Sequence, residues 1–505
     1  MAKYKNYDYS QRTLIPVSLH EQLVVGSLEF AIHYLVEERM DTSVLDERYQ
    51  NDETGRWAYD PKVLLKVVLF GYSRGLVSSR KLEAACRENV TFMALACGQQ
   101  PDHSTIAAFV SSMKGEILPL FRDVLLVCEE MGLLGGTVFA LDGCKLPSNA
   151  SKEWSGTVSD LRRKQEKIEE KVLELLREQE EADREDGERA KGGGSGGSDS
   201  GKQVEKLRRQ AERIERFLKD NGPKIGRQGR ELKSNVTDNE SAKMMTSHGT
   251  IQGYNSQALV DQRRQVIVYA EAFGEGQDHY HVPPMMEGAK KSVRALGHGE
   301  DYFVGKVLVA DSNYHSPANL NRCEDEHLDA YIPDKNFRTR DPRFETQPRW
   351  SPKRKKKFVL SDFRYEPSTD RYVCPRGKRL KLSVKKLVVG GTIYRKYLAD
   401  ENDCTRCEEK ANCLRAKNAK RRSLMVLVGG ISGNLSREMS EKIDSPYGRI
   451  VYHQRIAIVE PAFANIRYSK GMDRFTLRGK IKVNIQWLLY CMVHNIGKIA
   501  TYGFT

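Results

Sequence analysis

The chain has 505 residues, of which 39% are hydrophobic and 30% charged, and its net charge at pH 7 is +14. This composition is that of a folded protein and excludes a mostly disordered one. The length exceeds what one compact core usually holds, so we expect several domains or one domain with large insertions. The positive excess indicates a polyanionic partner, with nucleic acid the first candidate. A merely basic soluble enzyme is the alternative.

The sequence predicts neither a signal peptide nor a membrane span. Residues 1–11 are polar, and the most apolar run, residues 487–493, is far too short to cross a bilayer. The ten cysteines are mostly scattered singly, unlike a secreted disulfide framework. We therefore expect a cytoplasmic, reduced protein that makes no membrane contact.

Helical spacing dominates the first 130 residues. Helices are predicted over residues 14–40, after the cap formed by Asp60 and Pro61, after Ser78, and over residues 101–113. Short helices joined by tight turns, with Arg80 and Lys81 at the start of one, are typical of a helix-turn-helix DNA reader. An ordinary helical bundle is equally compatible with the spacing.

Two apolar runs each end in an aspartate. Residues 137–143 hold four apolar side chains followed by Asp142, and residues 305–313 repeat this pattern with Asp311. Such runs are typical of buried strands, so each carboxylate is expected where a strand leaves the core. On adjacent strands the two would face each other and offer an all-oxygen site to a hard divalent cation. Either one alone also fits a turn residue.

Heptad spacing predicts two helices around a Gly/Ser tract at residues 192–201. The heptad positions are Leu161, Gln165, Ile168, Val172 and Leu175 before the tract, and Val204, Leu207, Ala211, Ile214 and Leu218 after it. The helices are expected to fold back as an antiparallel hairpin. Because its charge is mixed, a solvated spacer or a protein contact is favoured over DNA binding.

Strand patterns return after the hairpin. The order is a β-hairpin over residues 254–271, a helix over 278–296, the Asp311 strand, a helix over 317–326 and a strand over 328–333. Alternation of this kind indicates an α/β layer with a mixed sheet. A long insertion, the heptad hairpin, follows the first strand.

The segment from residue 338 to 422 is basic and cysteine-bearing. Its cysteines are Cys374, Cys404, Cys407 and Cys413. A C-x2-C pair with flanking cysteines suits a zinc ribbon or knuckle, because thiolates bind zinc tetrahedrally; four free thiols are the alternative. The run at residues 353–357 is either a solvated loop or an arm that contacts phosphates.

A helix is predicted over residues 447–465. The apolar residues Ile456, Val459 and Phe463 fall at helical steps and leave Glu460 on an adjoining face. If that helix lies beside the two aspartates, Glu460 completes a site with three carboxylates; a surface ion pair is the alternative. The apolar stretch 482–499 is expected to form a final helix against the sheet.

In this order, the motifs resemble the DDE transposases of bacterial insertion sequences. Asp142 and Asp311 look like the first two acids, and Glu460 looks like the third, within a Tyr-Arg-Glu-Lys type signature. Tyr452 and Arg455 occupy signature positions, although four residues, where three are usual, separate Arg455 from Glu460. Arg467 stands where a lysine is commoner. Residues 59–61, 78–83 and 101–106 resemble the helical N-terminal domain of the family.

The resemblance implies an α/β protein with an RNase H-like mixed sheet flanked by helices, an N-terminal all-α domain and two insertions. The implied divisions are an N-terminal helical DNA-binding domain (1–130), the first part of the core (131–157), a coiled-coil hairpin insertion (158–220), the continued core (221–336), a basic β-rich insertion with the zinc site (337–435) and a C-terminal helical part of the core (436–505).

The resemblance also implies an activity. Two Mg²⁺ ions, with Mn²⁺ as a substitute, would be held by Asp142, Asp311 and Glu460 while the ends of the element are cleaved and their 3′-hydroxyls joined to target DNA. DNA contacts are expected from Tyr452, Arg455, Arg467, Lys470, Lys145, Asn149, Arg80 and Lys81. The expected partners are terminal inverted repeats and target DNA, bound by a homodimer in the bacterial nucleoid. An RNase H-like nuclease, an inactive domesticated relative and a non-catalytic sequence-specific DNA-binding protein are the alternatives.

Overall fold

The computed structural model describes residues 18–48, 57–188, 197–226, 229–346, 357–389, 392–414, 416, 418–427 and 432–504. It is a mixed α/β structure, as the strand and helix patterns predicted. Residues 192–196 of the predicted linker and residues 353–356 of the basic run lie outside the described residues. No helix in the described ranges has the length and apolar character needed to cross a membrane.

The helices alternate with strands along most of the chain. Their bounds are α1 (Leu28–Tyr34), α2 (Pro61–Ser73), α3 (Ser79–Glu88), α4 (Val90–Leu95), α5 (His103–Ser111), α6 (Ile117–Glu130), α7 (Val158–Glu188), α8 (Gly197–Asp220), α9 (Val282–Ala295), α10 (Pro317–Asp325), α11 (Phe337–Arg340), α12 (Glu401–Thr405), α13 (Lys410–Cys413), α14 (Ser432–Asp444), α15 (Pro446–Ala464) and α16 (Lys480–Tyr502).

The strands form a large mixed sheet, a smaller antiparallel sheet and two short pairs. Their bounds are β1 (Val138–Pro147), β2 (Ser155–Gly156), β3 (Lys224–Ile225), β4 (Glu231–Leu232), β5 (Ser234–Asn235), β6 (Ala242–Thr246), β7 (Gly249–Asp261), β8 (Ile267–Phe273), β9 (Val307–Ala310), β10 (Asp329–Tyr331), β11 (Arg364–Glu366), β12 (Arg371–Val373), β13 (Arg379–Val389), β14 (Thr392–Ala399) and β15 (Ser423–Leu427).

The large sheet is six-stranded, with the order β10-β9-β1-β7-β6, and β8 also pairs with β7. β9 is parallel to both β1 and β10, whereas β7 is antiparallel to β1, β6 and β8. The predicted β-hairpin over residues 254–271 is therefore confirmed. Parallel strands need crossover connections, and α9 and α10 provide them here.

Helix starts in the N-terminal segment follow their capping signals. Asp60 Oδ1 accepts the backbone N–H of Lys62 at 2.8 Å, with Pro61 in the first turn of α2. Asp102 caps α5 in the same way through Ser104 and Thr105. These contacts confirm the predicted starts of both helices.

One continuous cluster of buried apolar side chains joins the N-terminal helices, the large sheet and α16. The final helix packs against β8, α6 and α2, as its apolar sequence predicted. Polar side chains fix its position: Trp487 Nε1 donates to the carbonyl of Gln257 at 3.0 Å, and Asn495 bonds both backbone groups of Ile267. α16 therefore ties the N-terminal helices to the sheet.

Helices α7 and α8 pack antiparallel, because Leu161 near the start of α7 shares a small core with Ile214 near the end of α8. α8 begins at Gly197, so residues 197–201, which the sequence analysis assigned to the linker, are helical. A glycine costs a helix only about 1 kcal/mol, which neighbouring residues can offset.

The smaller sheet is an antiparallel meander in the order β11-β12-β13-β14-β15. It has its own core, centred on Phe363, Leu380, Tyr397 and Leu424. The strands confirm the β-rich character of this segment. Its status as an insertion stays a prediction.

We expect stability to fall in acid because of His494 on α16. This residue is buried, its Nε2 donates to the carbonyl of Gln265 at 2.8 Å, and burial lowers its pKa to about 3. Below pH 6.5 the unfolded chain binds a proton at this histidine that the folded chain does not. The free energy of unfolding should therefore fall by up to about 1.4 kcal/mol per pH unit between pH 6.5 and 3.

Urea unfolding at a series of pH values measures this effect. His494→Gln should flatten the slope below pH 6.5, whereas the control His248→Gln, at an exposed turn, should leave it unchanged. Equal slopes in His494→Gln and the native protein would exclude His494 as the cause.

Candidate active site

Asp142 and Asp311 lie side by side where two adjacent inner strands of the large sheet, β1 and β9, stop pairing with each other. β1 and β9 are parallel and pair Leu141 with Ala310, and an aspartate follows each of these two residues in the chain. β1 continues to Pro147 against β7, whereas β9 ends and Asp311 begins the turn Ser312–Tyr314. Ser312 Oγ donates to Asp311 Oδ1 at 2.9 Å, which orients that carboxylate.

Arg455 of α15 forms an ion pair with Asp142. The Arg455 and Asp142 side chains are 11% and 18% exposed, and the guanidinium also donates to the hydroxyl of Tyr452 one turn earlier. Burial raises the pKa of Asp142 to about 6; Arg455 and the N–H of Gly143 oppose this rise, and the nearby carboxylates of Asp311 and Asp278 add to it. The pKa of Asp142 is therefore raised mainly because the carboxylate is buried, and less because of its acidic neighbours.

A buried polar network lies near Asp142. Asp278 Oδ1 accepts from Asn255 Nδ2 at 2.7 Å and from Gln257 Nε2 at 2.9 Å, and the hydroxyl of Tyr314 donates to Gln257 Oε1. A Cβ at Gly143 would lie 2.1 Å from Gln257 Nε2, so only glycine fits beside this amide.

Asp278 remains ionised within this network. Burial would raise its pKa, but the nearby His281, whose Nδ1 lies 3.7 Å from Asp278 Oδ1, the hydrogen bond from Asn255 and the charge of Lys145 outweigh burial and hold the pKa below its usual value. The sequence patterns do not predict this residue. One signal for a buried polar site was the pair of amide side chains, Asn255 and Gln257, at alternate positions of a predicted strand.

Glu460 lies on α15 but outside this cluster. It comes five positions after Arg455, which rotates it by about 140° around the helix axis. Its side chain is exposed, and within the described ranges it makes no hydrogen bond or ion pair. In the same ranges, no three Asp, Glu, His or Cys side chains stand close enough to hold one ion. The structure thus brings together Asp142, Asp311 and Arg455, and leaves Glu460 apart.

The proposed DNA-contacting residues differ in exposure. Arg467 is exposed, and its charge acts on the half-buried Cys144, two residues after Asp142. Tyr452 is buried against the ring of Phe337. Lys470 is also buried, and burial lowers its pKa, with the charges of Arg74 and Lys498 adding to this. Lys470 therefore lacks the exposure that a phosphate contact requires.

The remaining candidates lie farther along the surface. Lys145 Nζ donates to the carbonyl of Met245 at 3.3 Å. The exposed Asn149 bridges to the segment after α15, donating to the carbonyl of Thr476 at 3.3 Å. Arg80 and Lys81 are exposed at the start of α3.

Three of the four cysteines of this segment, Cys374, Cys404 and Cys413, pack against the core of the smaller sheet. Lys378 N–H points to Cys374 Sγ at 3.3 Å, and Arg422 N–H points to Cys404 Sγ at 3.5 Å. Burial raises the pKa of Cys404 and of Cys413, and in each case the neighbouring thiols add to the rise. All ten cysteines of the chain are free.

Two family models match the chain. Residues 373–500 match the Transposase DDE domain, and residues 18–112 match the Transposase domain (DUF772). The first range includes Arg455, Glu460 and the four clustered cysteines; Asp142 and Asp311 lie outside both ranges. A search of curated proteins gives no significant match.

The two matches support a transposase function for the chain. More particularly, they support a DDE transposase of an insertion sequence, which confirms the resemblance of the motifs. Transposases of this type act on DNA and use divalent metal ions.

Proposed function

We propose that this transposase cleaves the ends of its insertion sequence and joins the freed 3′-hydroxyls to target DNA at Asp142 and Asp311. The observation that carries the proposal is the position of these carboxylates at adjacent strand ends, where burial and, to a smaller extent, neighbouring carboxylates raise the pKa of Asp142 to about 6. A divalent cation would stabilise the charged form of both side chains, and carboxylate oxygens are the ligands that Mg²⁺ prefers.

The sheet order supports an RNase H-like core. Apart from β6, which pairs with the start of β7, the order is β8-β7-β1-β9-β10. In chain order these five strands are β1, β7, β8, β9 and β10. Asp142 therefore lies on the first of them and Asp311 follows the fourth, as the resemblance to DDE transposases implies.

Asp142 and Asp311 fit a metal site in ligand chemistry and position. Mg²⁺, or Mn²⁺ in its place, would activate the attacking oxygen and stabilise the leaving oxygen. Arg455 lies beside this position, and its Nε is buried without a hydrogen-bond partner. The planar guanidinium favours bidentate contact with a phosphate of the DNA strand, which would require Arg455 to turn away from Asp142 and become exposed.

Glu460 is proposed as the third acid, brought to the site when DNA binds. Two features make this part of α15 deformable. Pro461 lies inside the helix and cannot donate the usual backbone hydrogen bond, and the helix ends in a π-helical turn at Asn465–Ser469. A local rotation of α15 is therefore the motion that the proposal requires.

An assay with labelled element ends tests the function. The DNA flanking the gene supplies the inverted repeats, and the protein should nick them in Mg²⁺ and transfer the 3′-end to a second duplex. Nicking without transfer would favour an RNase H-like nuclease. DNA binding without either reaction would favour an inactive relative or a DNA-binding protein.

Structural zinc is proposed at Cys374, Cys404, Cys407 and Cys413. The backbone N–H groups directed at two of the sulfurs would stabilise thiolates in a metal site. In the described ranges, no three cysteine side chains are close enough to bind one metal ion. Zinc binding would therefore require the four thiols to move closer together.

Elemental analysis of protein purified under reducing conditions should find one zinc per chain. Cys407→Ser should lose it and lower the melting temperature, whereas Cys97→Ser, at an exposed cysteine outside the cluster, should keep both. Native protein without zinc would instead leave four free thiols.

A further inference from the structure

A cleft of about 520 Å³ runs along one face of α8 and ends at Trp154. The α8 residues that line it recur at steps of three and four, so they form one stripe of the helix. These residues are Lys202, Glu205, Lys206, Arg209, Gln210 and Arg213. From Lys202 to Arg213 the stripe is about 16 Å long, the length of roughly five base pairs of duplex DNA.

The end of the cleft at Trp154 is held in place by its neighbours. Lys164 Nζ lies 4.2 Å from the centre of the indole ring, and the Arg213 guanidinium lies 5.8 Å from it. Arg213 Nη2 also donates to Thr237 Oγ1 at 2.9 Å, and the carbonyl of Trp154 accepts the N–H of Val236 at 3.0 Å. Aromatic ring and cations are thus fixed against the segment after β5.

The charge of the cleft is strongly positive. The stripe has four basic residues and one acidic residue, Glu205, whose carboxylate is engaged with Arg209 at 2.8 Å. Lys202 and Lys206 are exposed, and neither takes part in a salt bridge within the described part of the chain. Their charges are therefore available to an anionic partner.

Trp154, at one end of the cleft, comes soon after β1 in the chain, and β1 is the strand that carries Asp142. β1 extends five residues beyond Asp142, or about 17 Å, and Trp154 comes seven residues after its end. The chain therefore leads from Asp142 along β1 to the end of the cleft at Trp154.

We propose that the α8 cleft binds the phosphate backbone of duplex DNA that flanks the cleavage site. The inference rests on the proposed function in that the DNA is the substrate of the transposase. It differs from the expectation of a spacer or protein contact, because that expectation averaged the charge over the whole hairpin. In the fold, four cations share one face with an aromatic side chain.

The test measures how the affinity for a labelled random-sequence duplex depends on salt concentration. It compares the native protein with the cleft variant Lys202→Gln/Lys206→Gln. The matched control is Arg208→Gln/Lys219→Gln, which removes the same charge from exposed positions of α8 outside the cleft. The cleft variant should bind about ten-fold more weakly at low salt. The slope of log affinity against log salt should fall in magnitude by about two, with the control unchanged.

Equal DNA affinities for both variants and the native protein would overturn the proposal that the cleft binds DNA. If the cleft variant then still cleaved element ends at the native rate, the proposed function would stand. Native protein that binds no DNA overturns both. An equal loss in both variants would mean that only overall charge matters and would also overturn the cleft. Unchanged DNA binding with weakened self-association in sedimentation would assign the cleft to a second copy of the chain instead.

Discussion

Asp142→Asn and Asp311→Asn should each abolish strand cleavage while the protein still folds and binds element ends. Asparagine keeps the size of the side chain but removes the negative charge that a divalent cation needs. Loss of residues that merely support a metal ligand costs 10–100-fold, so loss of a ligand itself should cost more than about 100-fold. Single-turnover nicking of a labelled end in Mg²⁺, with binding measured in Ca²⁺, separates the two effects.

Asp325→Asn provides the matched control. This aspartate is exposed at the end of α10, outside the polar network around Asp142. The Asp325→Asn variant should cleave DNA at the native rate. Native cleavage by either site variant would remove that aspartate from the site, and loss of DNA binding would mean that the substitution had disturbed the fold.

Glu460→Gln should cause a comparable loss of cleavage although its side chain is exposed in the free protein. The expected cause is that the carboxylate joins Asp142 and Asp311 only when DNA is bound. Substitution of an ordinary exposed glutamate usually changes stability by less than about 0.5 kcal/mol and should not affect a distant reaction. The melting temperature of Glu460→Gln should therefore match that of the native protein.

Glu324→Gln, an exposed glutamate on α10, is the control for this substitution. If Glu460→Gln cleaves as fast as this control, Glu460 is not a ligand. Asp278 would then be the next acid to substitute, because its charge already reaches Asp142.

The strand-end aspartates could be predicted because the signal is local. An apolar run that ends in an acid defines both a strand and the place where its side chain emerges, and parallel pairing then brings the two acids together. The caps Asp60 and Asp102 were predictable for the same reason. In each case, neighbouring residues in sequence decide the geometry.

The surroundings of Asp142 could not be predicted, since they depend on contacts between distant segments. Arg455 reaches Asp142 across 313 positions of sequence, and the network of Asn255, Gln257 and Asp278 depends on the register of β7. The orientation of α15 was also missed in part. Val459 and Phe463 are buried as expected, but Ile456 is 52% exposed, because the helix presents Tyr452 and Arg455 to the sheet.

The apolar core that α2 shares with α16 is completed only when the last residues of the chain are synthesised. α2 is buried from Val63 to Ser73, and α16, more than 400 residues later, covers part of it. A chain still on the ribosome therefore exposes an apolar surface until residues 480–502 emerge. Prematurely terminated products should aggregate or be degraded, so they would not persist as fragments that occupy the ends of the element and compete with the intact enzyme.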